Sequence, residues 1–252
     1  MDCPILEFDP AQDAVLDPHR LLTRIEMPEH CVVCFFQDVI TRLVEVEHAR
    51  VLAHQRSEIG LHPVYEIEFK GQRIAFFHPG VGAPLAAALL EEVIALGGRK
   101  FIACGGAGVL NREITVGHLV IPISAIRDEG TSYHYLPPGR EVAPTSEAVA
   151  SLQRTLESHN VDYVTGKTWT TDAIYRETKT KVERRRAEGC LTVEMEAASF
   201  FAVAQFRKVA FAQMLYAGDD VSGDNWDSRD WTNQATVREK LFWLAAEACL
   251  SM

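Results

Sequence analysis

Two carboxylate-bearing segments in the second half of the chain have the residue types for acid–base or sugar chemistry. In the first, Glu194 and Glu196 precede the apolar run Ala197–Ala204, and no Lys or Arg lies between Arg186 and Arg207. Burying an ionised carboxylate is costly unless a partner neutralises or hydrogen-bonds it. A sugar whose glycosidic bond is breaking offers hydroxyl donors and developing positive charge, and so suits this segment. An ordinary helix with two glutamates at its N-terminus is the alternative interpretation.

The second segment is the acid pair Asp219 and Asp220, which ends the apolar stretch Val209–Ala217. Adjacent acids in a closed site repel each other, so we expect the pKa of at least one to be raised toward a value useful to a general acid. A polar turn is the alternative, because Ser222-Gly223-Asp224 follows and the strict spacing of a calcium loop is absent.

A glycine-rich segment follows one of the predicted strands. Gly105-Gly106-Ala107-Gly108 follows a buried strand, but the residues after it do not form a clear helix pattern, so it is not a dinucleotide-binding fingerprint. Glycines at a strand end let the backbone approach an anion or a sugar, although a plain tight turn explains them equally well.

Apolar residues alternate between strand-like and helix-like runs, which is typical of α/β folds. A hairpin joined at Lys70-Gly71 favours a mixed rather than a purely parallel sheet between helical layers. The predicted strands are Cys31–Phe36, Val64–Phe69, Ile74–His78, Phe101–Cys104, Leu119–Ile126, Val161–Thr171 and Val209–Ala217. The predicted helices are Asp38–Leu52, a helix ending at Leu96, Thr145–His159, Thr178–Glu188, Met195–Phe206 and Thr232–Cys249.

Length and composition predict one domain over residues 1–252, with 1–30 as an N-terminal extension, because no linker or repeat divides the chain. The net charge of −10 argues against a nucleic-acid partner. We expect no membrane partner and a cytoplasmic location, since there is neither a signal peptide nor a long apolar run. Cys31 and Cys34 sit in a strand pattern without a second pair, so we expect core thiols and no metal site.

The carboxylate segments together resemble one enzyme family. Glu194-Met195-Glu196-Ala197, followed about two dozen residues later by an Asp at the end of an apolar strand, is similar to the nucleoside phosphorylases of the purine and uridine phosphorylase type, a family that also includes methylthioadenosine nucleosidases. The resemblance runs from about Val32 to the C-terminus. It implies a single-domain, three-layer α/β/α fold with a mixed central sheet.

The resemblance also implies roles for individual residues in cleaving a ribosyl N-glycosidic bond. Glu196 would hold the ribose hydroxyls and stabilise the cationic transition state, Met195 would pack on the ribose, and Asp220 would be the general acid. Arg238 would steer this Asp if about five residues near 225–229 are an insertion. Residues matching substrate-binding positions of the family are Glu194, Ile174, Tyr175, Gly82 and His19.

Purine nucleosides are the favoured substrates by resemblance. The segment Thr171-Asp172-Ala173-Ile174-Tyr175 is similar to the base-site strand of the family, although Ile174 replaces an aromatic residue. The spacing from Tyr175 to Glu194 matches purine-cleaving members and lacks the longer insertion of uridine phosphorylases.

The resemblance is weakest at the phosphate site. Arg56 matches an Arg that the family contributes from a neighbouring subunit, which implies a homodimer or a higher homo-oligomer with shared active sites. Arg42 is one position away from the family's N-terminal Arg, and Ala103 replaces the Arg before the glycines. Phosphate would then be held by Arg56, Gly106 and Arg42, without two of the usual guanidinium groups.

These residues predict phosphorolysis with an atypical phosphate site, with phosphate as co-substrate and no cofactor. One alternative is a nucleosidase that uses water, although Glu45 and Glu47, in an amphipathic helix pattern, do not convincingly supply a base. Another is a nucleoside-binding or storage relative without activity, against which Glu196 and Asp220 argue.

Overall fold

A computed structural model describes residues 3–231 and 235–252 as a mixed sheet with helices on both faces, which confirms the predicted three-layer α/β/α fold. The strands are β1 His30–Cys34, β2 Arg50–Ser57, β3 Gly60–Phe69, β4 Gln72–Phe77, β5 Lys100–Val109, β6 Leu119–Asp128, β7 Glu141–Val142, β8 Tyr163–Thr171, β9 Cys190–Glu194 and β10 Ala210–Asp220. The α-helices are α1 Pro18–Leu21, α2 Gln37–Glu45, α3 Ala83–Leu96, α4 Ser146–Ser158, α5 Lys179–Ala187, α6 Ala197–Arg207 and α7 Ala235–Leu250.

The sheet has the strand order β10-β6-β8-β9-β5-β1-β4-β3-β2, with β7 paired to β6. Strands β1, β4, β5 and β10 run parallel in neighbouring pairs, whereas β9 is antiparallel to β5 and β6 is antiparallel to β10. Because β10 also pairs with β5, the strands β5, β10, β6, β8 and β9 close into a ring. The hairpin of β3 and β4 and the edge strand β2 extend the sheet beyond this ring.

Each face of the sheet buries its own apolar cluster. Helices α2, α4 and α7 cover one face, where Ile40, Leu152 and Phe242 are buried, and helices α3 and α6 cover the other. Phe200 of α6 stacks on Phe211 of β10 with ring centroids 4.9 Å apart. Burying one such ring stabilises the fold by roughly 1.5–3 kcal/mol, so α6 is fixed firmly on the strand that ends in the acid pair.

Two predicted elements differ from the structure. The helix predicted over Asp38–Leu52 ends at Glu45, and Arg50–Ser57 forms strand β2 instead. His48, between them, has a φ of 56°, a left-handed conformation that an α-helix cannot contain. Strand β9 was missed because Cys190–Glu194 is only five residues long and buried.

Within the described residues, no helix combines the length and the apolar character needed to cross a membrane. The same residues contain no cluster of three or more His, Cys, Asp or Glu side chains able to hold a metal ion. Cys31 and Cys34 are free thiols buried in β1.

Candidate active site

A cavity of about 270 Å³ lies where strands β5, β9 and β10 end. It brings together residues from both carboxylate segments, the glycine-rich end of β5 and the last helix. The lining residues include Phe35, Phe36, Gly106, Ile174, Glu194, Met195, Glu196, Gln213, Tyr216, Asp219, Trp231 and Arg238. A larger cavity of about 820 Å³ lies between the N-terminal segment and α3, but its acidic Glu91 is already paired with Arg207 at 2.7 Å. The chemistry predicted from the sequence therefore belongs to the smaller cavity.

Glu194 is held by hydrogen bonds at the junction of β9 and α6. Its Oε2 atom accepts from the backbone N–H groups of Glu196 at 2.7 Å and Ala197 at 2.6 Å, and its Oε1 atom accepts from the hydroxyl of Thr170 at 2.7 Å. Glu194 thereby satisfies two backbone N–H groups at the start of helix α6, which lack partners within the helix. Although Glu194 lines the cavity, its oxygens are occupied within the protein.

Glu196 has far fewer contacts and faces the cavity. Only 5% of its surface is exposed, and its Oε1 atom accepts from the backbone N–H of Gly82 at 2.5 Å. Burial, together with repulsion from Glu194, raises the pKa of Glu196 to about 8. Gly82 makes this contact with a φ of 91°, a backbone conformation that favours glycine. Of the two glutamates, Glu196 is therefore the one whose carboxyl is less occupied within the protein.

Glycine is required at the end of β5 by close packing. A β carbon on Gly106 would stand 2.9 Å from the ring of Tyr216, which is too close for a real contact. The same glycine lines the cavity, so the backbone of β5 itself forms part of its wall.

The two acids at the end of β10 have different environments. Asp219 lines the cavity, and its Oδ2 atom accepts from the indole N–H of Trp226 at 2.7 Å. Asp220 points away from the cavity and pairs with Arg229 at 2.6 Å. Together with the backbone N–H of Ser222, this pairing lowers the pKa of Asp220 despite its burial. The structure thus places Asp219, rather than the predicted Asp220, at the cavity.

The loop between β10 and α7 carries one tryptophan to the cavity and places another beside Asp219. Backbone hydrogen bonds between Asp220 and Asp227 fold the loop back on itself. Arg229 ties it down by donating to Asp220 and, at 2.8 Å, to the carbonyl of Ile114. The Tyr216 hydroxyl donates to the carbonyl of Trp231 at 2.9 Å. As a result, Trp226 contacts Asp219 and Trp231 forms part of the cavity wall.

Arg238 lines the cavity but does not pair with Asp220. It donates to Asp38 at 3.1 Å, and its guanidinium carbon lies 5.4 Å from the ring centroid of Phe36 and 5.7 Å from that of Trp231. Its buried Nε atom has no hydrogen-bond partner among the described residues. Arg238 therefore brings positive charge to the cavity while its outer end is held by Asp38.

Three predicted substrate-binding residues differ in their relation to the cavity. Ile174, in the short 3₁₀ turn Ile174–Arg176, lines it with about half of its surface exposed. Tyr175 is almost fully exposed and does not line it. His19 lies on the exposed surface of α1, outside the cavity, with its backbone N–H bonded to Asp17.

The two predicted phosphate-binding arginines both lie outside the cavity. Arg42 is exposed on α2 and pairs with Glu239 of α7 at 3.1 Å. Arg56 is exposed near the end of β2, where it lines a separate surface depression with Ser57, Glu58 and Gly60. Within this chain, only Gly106 of the predicted phosphate-binding residues lines the cavity.

Sequence reasoning did not single out several cavity residues. Gln213 is 1% exposed in β10, and its Oε1 atom has no hydrogen-bond partner among the described residues. The sequence does contain a signal for Gln213, which is the single amide in the apolar stretch Phe211–Leu215. A buried polar group needs a hydrogen-bond partner, and a ligand is one such partner. Trp231, which lines the cavity, gave another signal, since it is a large apolar residue in an otherwise polar loop.

Comparison with known proteins identifies the family of the chain. A sequence profile described as the phosphorylase superfamily matches residues 29–249. The chain belongs to this superfamily.

Among curated relatives, the chain is 27% identical to a guanosine phosphorylase of Halorubrum lacusprofundi over 188 residues, covering 75% of this chain and 77% of the relative. It is 34% identical to a uridine phosphorylase of Thermococcus kodakarensis over 121 residues, covering 47% and 44%. An AMP nucleosidase structure from Bacteroides thetaiotaomicron shares the fold, with a TM-score of 0.74 and 21% identity over 92% of this chain and 91% of that one. The phosphorylases are thus similar to this chain in sequence, and the AMP nucleosidase is similar to it in fold.

Proposed function

We propose that the protein cleaves the ribosyl N-glycosidic bond of a purine nucleoside. The observation that carries this proposal is the position of Glu196, which faces the cavity with one oxygen on the backbone N–H of Gly82. Among the described residues it has no Lys or Arg partner. A carboxyl held in this way favours a ligand with hydroxyl donors and a transition state that develops positive charge.

The remaining chemistry follows from the groups around Glu196. When ionised, Glu196 would accept hydrogen bonds from the ribose hydroxyls and stabilise the oxocarbenium-like transition state, while Met195 would pack on the sugar. Asp219, across the cavity, would protonate the leaving base, so the acid role moves from Asp220 to its neighbour. A purine fits this assignment, because its N7 atom is an acceptor that an acid can protonate.

Phosphate is the proposed acceptor, at an atypical site. The backbone around Gly106 and Arg56 from a second copy of the chain would hold it. Arg42 is engaged with Glu239, so fewer guanidinium groups contact the anion than in the family pattern. Each charge-assisted hydrogen bond contributes roughly 1.5–3 kcal/mol, so losing two weakens phosphate binding by two or more orders of magnitude.

Hydrolysis is the second candidate, and the pairing of Arg42 with Glu239 favours it. A site that binds phosphate weakly leaves water as the competing nucleophile. The fold permits this reaction as well, since the AMP nucleosidase has the same fold.

A nucleoside panel assayed over a range of phosphate concentrations tests the proposal. We expect cleavage of purine nucleosides, with weak phosphate dependence and ribose 1-phosphate among the products. Free ribose as the sole product, independent of phosphate, would establish the hydrolytic alternative. If binding occurs without turnover of any nucleoside, the protein is a binder and the proposal is wrong.

A further inference from the structure

A buried amide lines the cavity without a hydrogen-bond partner for its oxygen. Gln213 of β10 is 1% exposed, and its Oε1 atom has no partner among the described residues. A buried amide oxygen that stays unpaired destabilises a folded protein, so such atoms are rare. Because this atom belongs to a residue of the cavity wall, a bound ligand can supply the missing hydrogen. Gln213 therefore provides a polar contact for the ligand in addition to Glu196 and Asp219.

The place of Gln213 along β10 decides which part of the cavity it lines. Asp219 stands six residues further along the same strand, which corresponds to roughly 20 Å at about 3.3 Å per residue. The two side chains therefore line opposite ends of the cavity. Phe211, two residues before Gln213 and thus on the same face of the strand, stacks on Phe200 of α6. Gln213 therefore stands at the inner end of the cavity, next to the apolar core.

This inner end is where the proposed reaction needs its acceptor. In that reaction the base lies against Asp219 and the sugar against Glu196. In a direct displacement, the acceptor attacks the anomeric carbon from the side opposite the leaving group. We propose that Gln213 binds the acceptor, phosphate or water, by a hydrogen bond to the attacking oxygen. The inference rests on the proposed function, because it assigns a residue to the acceptor of that reaction.

A neutral amide is chemically suited to both acceptors. Its oxygen accepts a hydrogen bond from an O–H of water or of hydrogen phosphate, and its N–H groups can donate to a phosphate oxygen. As the acceptor oxygen bonds to the anomeric carbon, the glycosidic C–N bond breaks and its electron pair leaves with the base. Asp219 gives the base a proton and regains one from solvent, to which the acceptor loses its own. Gln213 exchanges no proton and orients the acceptor.

Product analysis of two variants tests this role. Wild type, Gln213→Met and Gln213→Glu are assayed with a purine nucleoside over a range of phosphate concentrations, and ribose 1-phosphate and free ribose are both measured. For Gln213→Met, kcat/KM for phosphate should fall on the order of 10-fold while KM for the nucleoside changes less than about threefold, since only a contact with the acceptor is lost. Gln213→Glu sets a negative charge against phosphate, so the ratio of ribose 1-phosphate to free ribose should fall by at least about 10-fold.

Thr192→Val is the matched control. The hydroxyl of Thr192 is likewise buried and unpaired among the described residues, but Thr192 does not line the cavity. Thr192→Val and Gln213→Met each remove an unpaired buried polar atom, so each should raise the melting temperature of the ligand-free protein by roughly 2–4 °C. Only Gln213→Met should alter the phosphate dependence, which a merely structural role of Gln213 would leave unchanged. Gln213→Leu is a second apolar variant should Gln213→Met not fold.

A 5′-deoxy nucleoside separates a contact with the acceptor from a contact with the sugar. We expect Gln213→Met to lose the same factor on this substrate as on the parent nucleoside. If the loss disappears with the 5′-deoxy substrate, Gln213 binds the 5′ hydroxyl and the inference is wrong.

The remaining outcomes separate the inference from the proposed function. A wild type that cleaves no nucleoside contradicts the proposed function. If the wild type forms both products, and folded Gln213→Met and Gln213→Glu keep its phosphate dependence and product ratio, the role of Gln213 alone is overturned. If the wild type releases only free ribose, the acceptor is water. Gln213→Glu, whose carboxylate accepts an O–H from water, should then hydrolyse at least about 10-fold faster than Gln213→Met, and equal rates would overturn the inference.

Discussion

Glu194 and Glu196 are two positions apart but have opposite surroundings. Burial raises the pKa of Glu194, and the hydrogen bonds that it accepts from two backbone N–H groups and from Thr170 partly offset this effect. Glu196 accepts from the N–H of Gly82 and is otherwise turned toward the cavity. We infer that Glu194 holds the start of helix α6 in place and that Glu196 acts on the ligand.

Glutamine substitutions should separate these roles. Glu196→Gln should lower kcat/KM, with a loss of ~2–4 kcal/mol in transition-state stabilisation, because an amide cannot stabilise a cationic sugar. The thermal stability of this variant should change little. Glu194→Gln should instead lower the melting temperature, because one of its accepting oxygens becomes a donor facing a donor. Steady-state kinetics and thermal unfolding of both variants provide the test. Wild-type activity of Glu196→Gln would remove it from the site.

Asparagine substitutions should likewise separate the roles of Asp219 and Asp220. Asp219→Asn should slow cleavage of natural purine nucleosides on the order of 10²–10⁴-fold while sparing substrates with activated leaving groups. Asp220→Asn should reduce both reactions alike, since it weakens the pairing with Arg229 and loosens the loop. The kinetics of the two variants on both substrate types decide the assignment. A selective loss in Asp220→Asn would restore the original prediction.

The raised pKa of Glu196 also predicts a pH dependence of stability. An unfolded Glu ionises near 4.5, whereas the folded protein holds this proton up to about pH 8. Between these values the folded state binds more protons, so the stabilisation is present at low pH and is lost as pH rises. Thermal unfolding without ligand should show a melting temperature that falls toward pH 8, and Glu196→Gln should flatten the slope. An equal slope in both proteins would contradict the raised pKa.

The sequence located the acid pair but could not say which acid faces the cavity. Successive residues of a strand point to opposite faces, so an error of one residue reverses the assignment. The face to which each acid points cannot be found by counting residues along β10, because the pairing of β10 with β5 shifts register between Ala217 and Asp220. Glu196 could be predicted because an apolar run without a cation left few roles for its charge.

At the scale of elements, long periodic segments were predicted well and short ones were not. Helix α3 was predicted to end at Leu96, which it does, because Gly97 and Gly98 stop the pattern. The first residues of β2 were predicted as the end of a helix that reaches Leu52, whereas pairing with β3 makes Arg50–Ser57 a strand. Pairing with a neighbouring strand decides the conformation of this segment, and a single sequence does not show which segments pair.

The loop between β10 and α7 should depend on Arg229. Asp220 is almost fully buried, and removing its partner leaves its charge largely uncompensated apart from the more distant Arg112 at 3.8 Å. Arg229→Ala should therefore cost roughly 3 kcal/mol in stability and lower activity as Trp226 loses its position beside Asp219. Thermal unfolding and kcat/KM measure both effects, with exposed Arg154→Ala as the control. Unaltered kinetics in Arg229→Ala would show that the loop does not position Asp219.

At the scale of the whole molecule, one chain does not contain all the residues predicted for the site. Arg56 and His19 are exposed and lie outside the cavity of their own chain. The resemblance assigns Arg56 to a contact across a subunit interface and His19 to substrate binding. The predicted oligomer would therefore complete the site, and its size remains a prediction.

Mixing inactive variants tests whether sites are shared. Glu196→Gln and Arg56→Ala should each lose phosphorolysis when assayed alone, measured as formation of ribose 1-phosphate. After the two are denatured and refolded together, mixed dimers should contain one site with both changes and one with neither, so activity should return to roughly a quarter of wild type. The control refolds each variant separately. If the mixture is no more active than the separate proteins, each chain builds its site alone.

The ring of strands β5, β10, β6, β8 and β9 has a consequence for how the molecule fluctuates. Inside the ring, each strand has a neighbour on both sides, so its backbone amides cannot be released by fraying from an open edge. Strand β2, at the free end of the sheet, has only β3 as a neighbour. Deuterium should therefore enter β2, with Arg56, long before it enters β5 and β10. The residues around the scissile bond would thus stay in register while the part of the chain predicted to reach a second subunit opens and closes many times.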